Sequence, residues 1–333
     1  MKFRKLLRPA VIAAATVCVV STASAETILK ASHQWPGGKG DIRDEMVRVV
    51  AREVEKADVG LKIRIYPAQS LFKAKEQWGA LVRGRLDMTA LPLDYASGRH
   101  PEFSATLMPG LVRNHERAER LNDSKFMSMI KDVIEKGGAK VIADAWLAGA
   151  FASKKECITD PASVKGQVIR AAGPAFERML AGAGGSIASM SSAEIYTAMQ
   201  TGVLDAANTS SGSFISYRIY EQVKCLTKPG KNALWFMYEP ILVSMKTWNR
   251  LTPEQQDALM AAGKKSQEYF SEKAADLDQK LVDVYREHGV KIAEMSDEDY
   301  KAWMDIAEKT SFKHFIDEVP NGAALIKAAR DVQ

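Results

Sequence analysis

Residues 191–209 read SSAEIYTAMQTGVLDAANT. Ser191 followed three positions later by Glu194 has the spacing of a capping box, in which each side chain accepts a backbone N–H at the start of a helix. The helix it opens is expected to run to Thr201 and stop at Gly202, because glycine tolerates the left-handed turn that ends many helices. Residues 206–209 then read as a short strand. Helix, glycine stop and strand in this order mark an α/β chain.

The same grammar recurs upstream. Residues 28–32 read as a strand and 42–55 as an amphipathic helix. Leu61-Lys62-Ile63-Arg64-Ile65-Tyr66 alternates apolar and polar side chains with the period of a strand, and Pro67 ends it. Residues 75–83 are expected to be helical up to Gly84, 86–90 a strand, 115–136 helical and 140–146 a strand. Asp160 can cap a short helix beginning at Pro161, where a missing amide proton costs nothing, and 167–171 follows as a strand. Downstream, Thr252-Pro253-Glu254-Gln255 is a second capping box. The helical pattern it opens persists to about Glu287 and would span roughly 50 Å, enough to brace two bodies. A last capped helix is expected near Ser296.

The N-terminus has the plan of an export leader. Lys2, Arg4, Lys5 and Arg8 precede an apolar run over 9–20, and Ala23-Ser24-Ala25 offers a small-residue cleavage pattern. The run is shorter than the roughly 20 residues of a membrane span, which sets a cleaved leader above an uncleaved anchor. Residues 1–25 are therefore assigned to a signal peptide cleaved after Ala25, and the mature protein to the periplasm. Cys18 lies inside the apolar run, not in a cleavage box, which argues against lipid attachment there. The formal charge of +5 includes the four basic residues of this segment, leaving +1 for the rest, so no nucleic-acid-binding surface is implied. The remainder of the 333-residue chain is long for one core and suggests two lobes. Two cysteines remain, Cys157 and Cys225. An oxidising compartment permits a disulfide between them; two separate buried thiols are the alternative.

Catalytic arrangements are scarce. His33, His100, His115, His288 and His314 are scattered and none pairs at metal-ligand spacing. Gly37-Gly38-Lys39-Gly40 lacks the full phosphate-loop pattern, and Ala181-Gly182-Ala183-Gly184-Gly185 follows a helix, the wrong order for a dinucleotide fingerprint. A binding reading fits better. Arg170 stands in a strand beside Val168, Ile169, Ala171 and Ala172, where a guanidinium must find an acceptor: an internal carboxylate, solvent at a sheet edge, or a ligand. Trp35, Tyr95, Phe151, Phe214, Tyr217, Trp235, Phe236 and Tyr238 supply aromatic surface for a core or for a ligand wall.

Five segments together carry a resemblance. YPAQSLFKAKEQWGALVRGRLDM at 66–88, TDPASVKGQVIR at 159–170, residues 191–209, YEQVKCLTKPG at 220–230 and WNRLTPEQQDAL at 248–259 resemble, in the same order, segments of the binding proteins of TRAP (tripartite ATP-independent periplasmic) transporters. The resemblance covers nearly the whole chain after the leader. It implies a two-lobed α/β periplasmic binding protein fold with crossing hinge strands and a long helix spanning both lobes. The expected division is 26–147 with about 235–280 in lobe I, and 148–234 with about 281–333 in lobe II.

The resemblance also implies a role for Arg170: a two-pronged contact with a ligand carboxylate, for which a planar guanidinium is suited and an ammonium is not. By position it further implies Gln34, flanked by Trp35, and Asn208 and Thr209 as ligand contacts. Ala150 stands where the sialic-acid-binding branch has a second arginine, which argues against a sugar acid or a long dianion. Tyr95, Phe151, Phe214, Trp235 and Phe236 are the aromatic candidates. The expected function is capture of a small organic acid for an integral-membrane TRAP permease, with no cofactor and no catalysis. A binding protein of an ATP-driven importer, a periplasmic enzyme on the same scaffold and a ligand-sensing partner of a membrane receptor are the alternatives.

Overall fold

The computed structural model describes residues 26–38, 40–231 and 233–332. The leader expected at 1–25 lies outside the described residues. Twelve strands occur among the described residues: β1 Thr27–Ser32, β2 Leu61–Tyr66, β3 Met88–Ala90, β4 Ala139–Ala143, β5 Trp146–Ser153, β6 Val168–Ala171, β7 Ser186–Ser189, β8 Ala206–Ser210, β9 Cys225–Thr227, β10 Phe236–Tyr238, β11 Ile241–Ser244 and β12 Lys291–Ala293. They form two sheets, one ordered β2-β1-β3-β11-β4 and the other β12-β9-β5-β8-β6-β7, with β10 paired to β5. The α/β class and the two-lobed plan expected above are present.

The chain crosses between the sheets three times, twice through short links between strands and once along the helix Pro253–Glu287, which leads from β11 to β12. Only Asp144 and Ala145 separate β4, in the first sheet, from β5, in the second; only Glu239 and Pro240 separate β10 from β11. β10 runs antiparallel to β5 and β11 antiparallel to β4, so the two short strand crossings lie side by side as one ribbon. A few residues at the ends of elements are the usual place for a hinge. The single strand expected at 140–146 is thus two. Its break is at Asp144, whose carboxylate accepts from Lys131 at 2.7 Å and from the Tyr238 hydroxyl. The helical stretch expected over 115–136 is likewise two helices, because Ser124 caps the second by accepting from the Met127 N–H at 3.2 Å.

The long helix is Pro253–Glu287, 35 residues, opened by the Thr252–Gln255 capping box. Its first half packs on the helix Ile42–Ala57 and on β4, and Gly263 allows the close approach: a Cβ there would sit 1.9 Å from the Ile142 carbonyl oxygen. Phe270 and Ala274 join the cluster of Leu29, Val47, Val50 and Val243 beneath the first sheet. Leu281 and Tyr285 join Ile195, Met199 and Phe214 beneath the second. Side chains alternate along a strand, so Leu242 points away from Ile241 and Val243 and into a third cluster that holds residues of both sheets. The C-terminal helices close that side. Trp303 Nε1 donates to the Thr159 carbonyl at 2.9 Å, and helix Gly322–Arg330 packs against Lys125–Lys136. Arg117 Nη2 donates to the Ala329 carbonyl at 2.8 Å. The C-terminal helix thus ends against the helices that precede β4. Cys157 and Cys225 are bonded, with Cα atoms 5.1 Å apart.

Candidate functional site

Arg170 is the third residue of β6 and is 1 % exposed. Its Nε donates to the Met190 carbonyl at 3.0 Å, Nη1 to the Asn208 carbonyl at 2.8 Å and Nη2 to the Tyr95 hydroxyl at 3.0 Å. The Tyr95 oxygen also accepts from the Ser192 N–H at 2.9 Å. Tyr95 lies in the turn Leu93–Ala96 that follows β3 of the first sheet, whereas Arg170 and Asn208 stand on β6 and β8 of the second and Ser192 in the turn between β7 and β8, so these bonds join the lobes. Among the described residues no carboxylate lies within 4.0 Å of the guanidinium, which disposes of the internal ion pair and, with the burial, of the exposed edge. A buried guanidinium held by neutral acceptors keeps an uncompensated charge and two N–H groups free for an anion.

Other buried polar groups near this junction also have no partner within the protein. Both amide atoms of Gln34 are unbonded, although its carbonyl accepts from the Tyr217 hydroxyl at 2.9 Å. Both amide atoms of Asn208 are unbonded as well, as is Glu239 Oε2. An unmet buried polar group costs about 1–3 kcal/mol, so this many in one region mark a place built to meet a polar molecule. The register sorts the neighbours of Arg170. Arg170 pairs with Ala207 and Thr209 with Ala150, so Thr209 shares the Ala207 face; Asn208, opposite Phe151, turns to the other face.

A second buried guanidinium, Arg43, spans the lobes beside Trp35. It forks onto Asp41, with Nε to Oδ1 at 2.9 Å and Nη2 to Oδ2 at 2.8 Å. Nη1 donates to the hydroxyls of Ser210 at 2.9 Å and Ser213 at 3.0 Å, and the group lies 4.7 Å over the Trp35 ring. Burial opposes the charge of Arg43, but Asp41 and Glu239 outweigh it and hold the group firmly protonated. Two carboxyls at the junction behave in the opposite way. Burial pushes Asp94 up to about 7 and Glu239 up to about 7, the latter in spite of Arg43. Asp94 lies against Gly173, where a Cβ would fall 1.5 Å from its Oδ2.

Residues 35–318 match the profile of the bacterial extracellular solute-binding proteins, family 7. The chain belongs to this family. A solute-binding protein of Albidiferax ferrireducens is 40 % identical over 320 residues, 95 % of each chain. The 2,3-diketo-L-gulonate-binding periplasmic protein of Escherichia coli is 28 % identical over 284 residues, 84 % of each. Among solved structures, a TRAP periplasmic solute-binding protein from Rhodoferax ferrireducens with bound malonate superposes with a TM-score of 0.89 at 39 % identity, covering 91 % of this chain and 98 % of that one.

Within this family 7 chain the aromatic candidates do not form one wall. Trp35 is fully buried and stacks on His33 at 5.6 Å. Trp235 lies over Gly149, where a Cβ would approach its ring to 2.3 Å. Phe236 meets the edge of His115 at 5.0 Å. Phe151 stacks on Trp303 at 5.8 Å, and Phe214 meets Tyr285 at 6.0 Å. Sequence reasoning missed Asp41, Arg43, Asp94, Ser210, Ser213 and Glu239. Two of these had a signal: Arg43 stands on the apolar stripe of Val47, Val50 and Val54, and Glu239 is the single charge in the apolar run 233–243.

Proposed function

We propose that this chain captures a small organic acid between its lobes and presents it to the membrane subunits of a TRAP transporter. Arg170 binds the acid carboxylate, and Gln34, Trp35, Tyr95, Asn208 and Thr209 supply the polar and aromatic surroundings. Trp235 and Phe236 bound the same junction. The observation that carries this reading is a buried guanidinium with neutral partners only. Family membership supports it, as does the malonate in the structure of the 39 %-identical relative.

Closure would turn on the two short strand crossings and bring 26–147 with about 235–280 onto 148–234 with about 281–333. The protein acts as a receptor, not as a catalyst, and works in the periplasm after cleavage behind Ala25. A thermal-shift and calorimetric screen of malonate, succinate, lactate, pyruvate, pyroglutamate and aromatic acids tests the assignment. At 100 times its dissociation constant a true ligand should stabilise the fold by about 2.7 kcal/mol. A folded protein that no acid stabilises would overturn it. N-terminal sequencing of periplasmic material that begins anywhere but Glu26 would overturn the cleavage site.

A further inference from the structure

Glu239 occupies the second crossing, with its backbone fixed by an N–H bond to the Ala145 carbonyl at 2.8 Å. It is 2 % exposed, and its Oε2 has no hydrogen-bond partner. The nearest cation is Arg43, whose Nη1 is 3.7 Å from Oε2, beyond bonding distance. Arg43 cannot turn to it, because its fork is closed on Asp41 and its outer nitrogen on Ser210 and Ser213. The other groups that act on Glu239 are few. Asp41 faces it from the cap of the first helix and Arg170 from β6. Tyr217 stands near and is kept neutral by burial. On the neighbouring crossing, Asp144 is occupied by Lys131 and Tyr238.

Asp41 and Arg43 cancel. What remains is one positive group, Arg170, and two buried carboxyls, of which Asp94 accepts at Oδ1 from the Ser97 hydroxyl at 3.2 Å while Glu239 Oε2 accepts from none. An acid anion that docks on Arg170 takes up a charge that otherwise helps to offset an ionised Glu239. Two negative groups sharing a dry site cannot both stay ionised cheaply, and one of them binds a proton.

We propose that Glu239 is the proton-bearing wall of the cleft: it takes a proton from solvent as the acid docks, and as a neutral carboxyl donates a hydrogen bond to an oxygen at the far end of the ligand. This rests on the organic-acid reading and narrows it to acids with a second oxygen function, whether keto, hydroxyl or carboxylate. The balance is simple, since one anion and one proton enter and no covalent bond changes. Because burial already holds this carboxyl up to about 7, docking has only to raise it further. The sign follows: the protonated protein binds more tightly, so affinity falls as pH rises above 7.

The test is titration calorimetry of the intact mature protein with malonate and with lactate, at pH 7 to 9, in phosphate and in Tris, whose ionisation heats differ. The wild type should take up a substantial fraction of a proton per ligand, and its affinity should weaken by up to about tenfold per pH unit. Glu239→Gln, which mimics the neutral carboxyl, should still bind, without proton uptake and with little pH dependence. Binding by the wild type without proton uptake would overturn the proposal, as would unchanged uptake in Glu239→Gln; either result leaves the organic-acid reading standing. If neither probe binds the folded wild type but another acid of the screen does, the same titrations with that acid decide. If no acid binds at all, both readings fall together.

Discussion

The Tyr95 hydroxyl and the Arg170 guanidinium meet at 3.0 Å across the two lobes, although 75 residues separate them in sequence. The same hydroxyl accepts from Ser192, so one oxygen of the first lobe holds both the proposed ligand-binding arginine and a helix start of the second. In the proposed reading, ligand capture and lobe closure would share an atom.

That sharing predicts the behaviour of Tyr95→Phe. The ring still packs, but two cross-lobe hydrogen bonds are lost, one of them to a charged group. Ligand affinity should fall by about 1–3 kcal/mol, or about 5- to 150-fold, with the unliganded melting temperature changed less. Calorimetry with the tightest acid of the screen and thermal melts of both proteins check this; wild-type affinity would refute it.

Arg170→Lys and Arg170→Ala should each weaken binding by about 2–5 kcal/mol, roughly 30- to several-thousand-fold. Lysine keeps the charge but loses the fork that meets two carboxylate oxygens while bonding Tyr95 and Asn208. Calorimetry, with circular dichroism to establish folding, is the measurement. Near-wild-type affinity in a folded Arg170→Ala protein would sink the assignment.

Gly173 owes its identity to space, not to its backbone, since its φ of −174° is ordinary extended chain. A methyl group there would overlap Asp94 Oδ2 across the lobe boundary. Gly173→Ala should hold the lobes apart, costing at least about tenfold in affinity and enlarging the liganded particle in small-angle scattering. An unchanged scattering radius with unchanged affinity would show that Asp94 can move aside at no cost.

Asp44 sets up a pH dependence of stability. Burial opposes its ionisation, but bonds from His33 at 3.1 Å, Arg48 at 2.7 Å and the Gly38 N–H at 2.8 Å outweigh burial and hold the carboxyl well below its usual range. A depressed carboxyl stabilises the fold above its unfolded value, near 4, and the contribution is lost as pH falls through the folded one. Asp44→Asn should therefore be about 2–3 kcal/mol less stable in urea melts at pH 7, with the gap narrowing below pH 4. A gap independent of pH would disprove the ionic origin.

The bond between Cys157 and Cys225 closes a loop of 68 residues. Loop entropy alone assigns it about 4 kcal/mol. The double variant Cys157→Ala, Cys225→Ala should be destabilised by up to that amount while binding the same ligand. Equal stability of the two proteins would show that the unfolded chain gains nothing from opening this loop.

Much of the architecture was legible along the chain, because its signals are short-ranged. The capping boxes at Ser191 and Thr252, the alternation of Leu61–Tyr66 and the glycine stops act within a few residues, and they announced the α/β order and the 35-residue helix. Arg170 was legible too, as a charge in an apolar strand. The aromatic candidates were not sortable, since Phe214 against Tyr285 and Trp35 beneath Arg43 look alike to any local rule. Which sheet each half of 139–153 joins, and that Arg43 reaches Ser210 across 167 residues, was decided by packing between lobes. Glu239 shows the limit most plainly. Its place in an apolar run is written in the sequence, but the lack of a partner at its Oε2 depends on where Asp41, Ser210 and Ser213 hold Arg43, and only the tertiary structure brings those groups together.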